Sequence, residues 1–202
     1  MPWKERVKPD YDIIHKLVAP NARILDLGCG DGTLLEGLIK EKNARGLGIE
    51  ISSDGVNRCL AKGLAVLQVD LDKGLADFAD KSFDYVILNM TLQVVRNPLL
   101  VVREMVRVGK YAIVGFPNFG HYKLRLSFAL GGRMPKSKTL PYEWYDTPNI
   151  RLMTVKNFRE MCGKNNIRIL REVYLSEAGR NVPPQLANLL AAEAVFLLEA
   201  KA

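Results

Sequence analysis

The apolar residues of this chain follow two spacings, and the switches between them mark out its elements. Ile13, Ile14, Leu17 and Val18 recur at helical spacing behind Asp10, a residue suited to capping such a helix, and Pro20-Asn21 ends it. Ala22 to Leu27 is a short, largely apolar run of the kind that makes a strand buried on both faces. Gly28 to Gly32 breaks that run, and Leu34, Leu35, Leu38 and Ile39 restore the helical period. Gly46 to Glu50 predicts a second strand. Ser52 or Ser53 then caps a helix buried through Val56, Cys59 and Leu60, with Gly63 placed for a left-handed C-terminal turn. Ala65–Val69 and Asp84–Asn89 predict strands three and four. Asn97-Pro98 opens a helix that Gly109 closes, and Tyr111–Phe116 is the fifth strand.

Strands alternating with helices through residue 116 argue for an α/β fold, a mostly parallel sheet with helices on both faces. After Pro117 the rhythm fails for about thirty-five residues, long for a plain connection, so 117–150 is read as a functional insertion. Thr154 starts a helix through Phe158, Met161 and Cys162, and two last strands are expected at Ile167–Leu175 and Ala194–Leu198. Nothing resembling a linker or repeat divides residues 1–202, so one domain is expected, as the length alone suggests.

The chemistry concentrates in Asp26-Leu27-Gly28-Cys29-Gly30-Asp31-Gly32, which runs from a strand into a helix. Glycines there let the backbone turn tightly and approach a ligand closely. Twenty residues after Gly30, Glu50 ends the next strand, where a carboxylate can accept from both ribose hydroxyls. The sign of the charge selects the nucleotide. A pyrophosphate needs a helix N-terminus clear of acids, whereas this loop carries Asp26 before it and Asp31 inside it. Those carboxylates disfavour NAD(P) and suit S-adenosylmethionine, which has an α-ammonium and a sulfonium but no phosphate. Asp26 and the loop carbonyls are expected to take the ammonium, Glu50 the ribose, and Asp70, after the third strand, the adenine amino group.

Composition narrows the partners. Lys and Arg number 29 against 22 Asp and Glu, for a net charge of +7. Residues 103–171 hold fourteen of the cations and four of the acids, a stretch that could meet an acidic protein, an anionic substrate or RNA. No apolar run reaches the ~18 residues of a membrane span. The first six residues, Met-Pro-Trp-Lys-Glu-Arg, lack the apolar region of a signal peptide. Three cysteines without a C-x-x-C pair read as reduced thiols of a cytoplasmic protein, and no zinc site is expected.

The glycine loop, Glu50 and Asp70 resemble the Rossmann-like class I S-adenosylmethionine-dependent methyltransferases. That resemblance implies a seven-stranded sheet with an antiparallel last strand. Further blocks are similar to the methionine-biosynthesis protein MetW family: Ser82–Leu88, Thr91-Leu92-Gln93, Arg107-Val108-Gly109, Phe116–His121, Gly132-Arg133-Met134-Pro135 and Leu140–Asn149. Methyltransferases in general lack the last three. The chain departs from the family pattern at Asn89-Met90, where Ser-Gln is usual, and at Arg151, where His is usual. The resemblance implies a set binding S-adenosylmethionine or S-adenosylhomocysteine: Asp26, Gly28, Cys29, Gly30, Asp31, Gly32, Glu50, Ile51, Asp70, Leu71 and Asn89. It also implies a partner, a homoserine O-acyltransferase (MetX) whose acylation of homoserine such proteins support.

Within the insertion, Tyr142 and Trp144 are candidates for an apolar lid over the methyl group. His121 and Tyr142 are the candidates for catalysis, and neither is fixed by a motif. No Asn-Pro-Pro-Tyr follows the fourth strand, so no acceptor is identified. Three readings follow: an accessory protein acting on an acyltransferase, a small-molecule methyltransferase, and an RNA methyltransferase using the basic stretch. Nucleic acid is the least favoured partner, and no membrane partner is expected.

Overall fold

The computed structural model describes residues 8–137 and 140–201. The expectations for the first six residues and for Lys138 lie outside them.

The chain forms α1 (Pro9–Leu17), β1 (Arg23–Leu27), α2 (Thr33–Lys42), β2 (Arg45–Glu50), α3 (Ser53–Ala61), β3 (Val66–Gln68), β4 (Phe83–Asn89), α4 (Pro98–Val108), β5 (Gly109–Pro117), α5 (Tyr122–Gly131), α6 (Val155–Lys164), β6 (Ile167–Leu175), α7 (Ala187–Leu190) and β7 (Glu193–Ala200). The seven strands make one sheet in the order β3-β2-β1-β4-β5-β7-β6. β1 to β5 pair in parallel, and β7 enters antiparallel between β5 and β6. This is the class I methyltransferase topology.

Strand alternation sorts the core into two layers. Ile24, Tyr85, Ile87, Ile113 and Val195 face α1 and α2, where they meet Ile14, Val18, Leu34, Leu35 and Leu38. Their neighbours Leu25, Leu27, Val86, Leu88, Val114 and Phe196 face the other way, onto Val101, Val102 and Met105 of α4 and Phe158 and Cys162 of α6. The strand order reverses direction beside β1, between β2 and β4, so the crevice at the carboxyl ends of β1 and β4 is where such a sheet binds a ligand.

Several punctuation signals act as the sequence suggests. Ser52 Oγ accepts from Gly55 N, Gly63 has φ +72°, and Thr154 and Asn157 form a capping box on α6. Two readings need correction. Pro9, with φ preset for a first helical position, starts α1 two residues earlier, so Lys8 holds the N-cap position and Asp10 lies inside the first turn. The insertion is not irregular throughout, since it contains α5. Tyr122, Leu124, Leu126, Phe128 and Leu130 fall on every second position, a strand-like spacing that hid the helix. Cys29 and Cys59, thirty residues apart, are buried with sulfurs 3.7 Å apart, in a small apolar cluster with Leu64 beneath the glycine loop.

The basic stretch is also less of a patch than its composition suggests. Arg107 pairs with Asp80 and Glu104, Lys123 with Glu177, Lys136 with Glu143, Arg159 with Glu172, Lys164 with Glu160 and Arg168 with Glu199. Six of the fourteen cations of the stretch are thus paired with carboxylates within the fold.

Candidate functional site

The crevice is built from the ends of β1, β2, β3 and β4. A cavity of about 250 Å³ is lined by Gly28, Ile49, Glu50, Ile51, Val69, Asp70, Leu71, Asp72, Thr91, Val94 and Val95. Five of the predicted residues therefore meet in one place: Gly28, Glu50, Ile51, Asp70 and Leu71. Ile49, Val69, Asp72, Thr91, Val94 and Val95 line it without having been expected there, although Thr91 begins one of the blocks that carry the family resemblance.

Glu50 holds the loop as well as facing the cavity. Its Oε2 accepts from Gly30 N at 2.8 Å and its Oε1 from Ser52 N at 2.9 Å. Each carboxylate oxygen has further lone-pair capacity, so those bonds still allow it to accept from a diol. Asp70 lies on the cavity wall and turns the chain, its Oδ1 accepting from Asp72 N at 3.0 Å at the head of the Leu71–Lys73 turn. Asp72 in turn accepts from Arg96 N and Asn97 N, which ties the cavity wall to the start of α4.

Asp26, expected to take the ammonium, does not line this cavity and is the most unusual group beside it. The period-two alternation of β1 puts it on the same face as Ile24, beneath α1, where it is only 2% exposed. Burial, reinforced by the charge of Glu50, pushes its pKa up to about 7. Its Oδ2 has no hydrogen-bond partner among the described residues. Asp10 of α1 is equally buried: its Oδ2 accepts from Asn89 Nδ2 at 2.7 Å, while Oδ1 is unpartnered. Tyr11, next along α1, has its phenol pKa raised by burial and then by the charges of Asp10, Asp26 and Asp31. Two buried carboxyl groups, Asp26 of β1 and Asp10 of α1, each with an oxygen unpartnered among the described residues, thus lie near the carboxyl ends of β1 and β4, an arrangement that favours a cationic ligand and penalises an anion.

Other predicted residues have structural employment. Asp31, expected to face the ligand, accepts from Thr33 N and Thr33 Oγ1 at the head of α2 and pairs with Lys62. Those hydrogen bonds and Lys62 outweigh desolvation and lower its pKa. Cys29 packs under the loop against Cys59, and burial raises its thiol pKa above the ordinary value. Asn89 turns toward α1, where its amide serves Asp10 and its side-chain oxygen lies against Gly115 of β5.

His121 and Tyr142 do not line the cavity. His121 is buried at the start of α5 against Tyr122, and burial lowers its pKa. Tyr142 and Trp144 lie in a separate depression with Phe119, Met134 and Leu140, so the expected aromatic lid is absent from the cavity wall. The insertion carries their side chains to its own surface, where Trp144 is 72% exposed.

Two glycines of the loop separate its packing from its ligand space. Gly32 has φ +74°, and a Cβ there would lie 2.4 Å from Leu64 Cδ1 and 2.9 Å from Cys59 Sγ. Gly30 has φ +60° with open space where its Cβ would go. Gly32→Ala is expected to cost about 2–4 kcal/mol of stability from strain and overpacking. Gly30→Ala should cost only the about 1–2 kcal/mol of a left-handed alanine. Denaturant unfolding of the two variants checks the difference, and equal losses would contradict this division of roles.

The comparisons with known proteins agree with the geometry. The family model described as "Methionine biosynthesis protein MetW" matches residues 8–198. The "Bifunctional methionine biosynthesis protein MetXA/MetW" of Rhodopirellula baltica is 36% identical over 198 residues, 93% of this chain and 32% of that one. The "Carboxy-S-adenosyl-L-methionine synthase" of Campylobacter fetus is 35% identical over 88 residues, 42% of this chain and 37% of its own. The chain thus matches about a third of the length of either curated relative. Among solved structures, one from the complex of the Haloferax volcanii Trm112 methyltransferase activator with a methyltransferase superposes with a TM-score of 0.69 at 16% identity, over 95% of this chain and 89% of that one. A SAM-dependent methyltransferase from Archaeoglobus fulgidus gives 0.68 at 16% identity, over 96% of both. At such identities these structures speak for the fold, while the match across residues 8–198 speaks for the family: this chain belongs to the methionine-biosynthesis protein MetW family.

Proposed function

We propose that this protein binds S-adenosylmethionine or S-adenosylhomocysteine in the crevice at the ends of β1 and β4 and acts with a homoserine O-acyltransferase to support homoserine acylation. The observation that carries the pathway half of this reading is the Rhodopirellula baltica relative, in which a MetW portion shares one chain with MetXA. The residues of the crevice fit the ligand. Asp26, with an unpartnered buried oxygen, receives the ammonium. Glu50 accepts from the ribose while holding Gly30, and Asp70 faces the adenine. Gly30 leaves open space where the ligand can approach the backbone. When bound, the sulfonium offers an electrophilic methyl group. The chain's own residues position it and exclude water through Ile49, Leu71 and Val95, with Ile51 exposed at the rim.

A second reading, a small-molecule methyltransferase, is favoured by the glycine loop and Glu50 taken alone. One experiment separates the two. Acyltransferase activity is measured with and without this protein, each with and without S-adenosylmethionine, while methyl transfer is followed in the same tubes. Stimulation without methyl turnover is expected, and turnover of an acceptor without any effect on acylation would favour the enzyme. If the cofactor alters partner affinity, linkage requires the partner to alter cofactor affinity by the same factor, about 5–150-fold for ordinary couplings. Titrations of the free protein and of the complex measure it, and equal affinities would leave the crevice uncoupled from the partner.

A further inference from the structure

The helix that the strand-like spacing concealed presents its apolar residues outward. At about 100° per residue, Tyr122, Leu126 and Leu130 of α5 share an arc of about 80°, while Leu124, the residue that seats the helix, lies about 160° round from Leu126. Leu124 is buried, whereas Leu126 is 53% and Leu130 86% exposed. An i, i+4, i+8 stripe normally faces the core; this one faces away from it. A second group of exposed apolar residues begins three positions beyond the end of the helix. Met134 lies in one depression with Tyr142 and Trp144, and all three are largely exposed. Exposed leucines and aromatics gathered this way mark an interaction surface, and Trp and Tyr supply much of the energy of such contacts.

The charge around the stripe identifies what it meets. Residues 119–141 contain five cations and no acid, and the first acids beyond them are Glu143, in the depression with Trp144, and Asp146. Lys123 and Lys136 are neutralised by Glu177 and Glu143. Arg125 is spent on the carbonyl oxygens of Gly120 and Asn188, so its charge has no carboxylate beside it. Arg133, just beyond the helix, has none among the described residues either. A second copy of this chain would bring like charges together across the stripe, which is unfavourable. An apolar groove rimmed by acids satisfies both features.

We propose that α5, with the depression of Met134, Tyr142 and Trp144, forms the face that docks the acyltransferase, with Leu126, Leu130 and Trp144 entering an acid-rimmed apolar groove on it. This rests on the partnership proposed above. A fused relative holds both activities on one chain, where a high effective concentration lets a surface of modest size suffice.

The test measures binding of the full-length protein to the purified homoserine O-acyltransferase of the same organism, for the parent and for Leu126→Asp/Leu130→Asp, Trp144→Ala and Arg133→Glu. All the changed side chains except Arg133 are more than half exposed, and circular dichroism with S-adenosylmethionine titration verifies that each variant is folded. The double Asp variant is expected to weaken the complex at least tenfold, and Trp144→Ala several-fold. Arg133→Glu should slow association and reduce its salt dependence. S-adenosylmethionine affinity of the free variants should stay at the parent value. A parent complex indifferent to all of these variants would overturn the docking face while leaving the partnership intact. A parent that forms no complex would overturn both. Loss in the variants of self-association, or of binding to anionic vesicles, without an effect on the acyltransferase would reassign the stripe to that occupant and overturn the proposal.

Discussion

Asp26→Asn is expected to be more stable than the parent at pH 8 and at the same time a poor binder of S-adenosylmethionine. The buried carboxyl has its pKa raised from 3.8 to about 7, first by burial and then by Glu50. In the unfolded chain the same group ionises near its ordinary value. Between pH 3.8 and about 7 the folded state therefore binds more protons than the unfolded one, and stability contributed by this group falls as pH rises through that window. Above pH 7 the full penalty of a buried, unpartnered carboxylate is present. An amide of the same size removes the charge but remains a buried polar group, so a gain of about 1–3 kcal/mol at pH 8 is reasonable, shrinking toward zero near pH 4. For a domain of this size each kcal/mol moves Tm by about 2–4 °C. Binding has the opposite sign, because a cationic ligand favours the ionised form. The parent should bind S-adenosylmethionine more tightly as pH rises from 6 to 8, and the Asn variant should lose both affinity and that slope. Melting curves and calorimetric titrations across this range supply the check. A variant as stable as the parent at every pH, with unchanged affinity, would remove Asp26 from the site.

This pairing of instability with binding also explains what could be read from the amino-acid pattern. Strands β1 to β5 and helices α1 to α4 and α6 follow from local rules, because apolar runs, Ser52, Pro98 and Thr154 act through neighbours within a few residues. The convergence of Gly28, Glu50 and Asp70 could be foreseen because parallel strands carry their carboxyl ends to one edge. What could not be foreseen depends on packing between distant segments. Asp10 reads as a helix cap, yet α1 lies over β4 and turns it into the partner of Asn89, 79 residues away. Asp31 reads as a ligand carboxylate until Lys62, at the end of α3, comes within 3.3 Å. The α5 spacing failed for a different reason. Residues that never join the core need not follow the period that core burial imposes, and only Leu124 of that helix is buried.

Glu50→Gln is expected to weaken S-adenosylmethionine binding by about 1.5–3 kcal/mol, or roughly 10- to 150-fold, the range for a hydrogen bond to a charged group. The amide is chosen over alanine because Glu50 has two tasks. Its carboxylate receives Gly30 N at 2.8 Å and Ser52 N at 2.9 Å, and only an acceptor at both positions keeps the glycine loop against β2. Glutamine supplies one oxygen and one NH₂ group, so one of those backbone donors is left facing another donor. The loop consequently loosens, and the ribose loses one of its two acceptors. Alanine would abolish both tasks at once and confuse loss of the loop with loss of the ligand. Aspartate separates them further: it keeps the charge, but its side chain is one methylene shorter and draws the oxygens back from Gly30 N and Ser52 N. The measurement is calorimetric affinity for S-adenosylmethionine, S-adenosylhomocysteine and NAD with parent, Gln and Asp variants, alongside thermal denaturation of each. The parent should prefer the first two ligands to NAD, because Glu50, Asp26 and Asp10 present carboxyl groups where a pyrophosphate would bring its own negative charge. Tighter binding of NAD by the parent, or a Gln variant with parental affinity for S-adenosylmethionine, would overturn the assignment of this crevice.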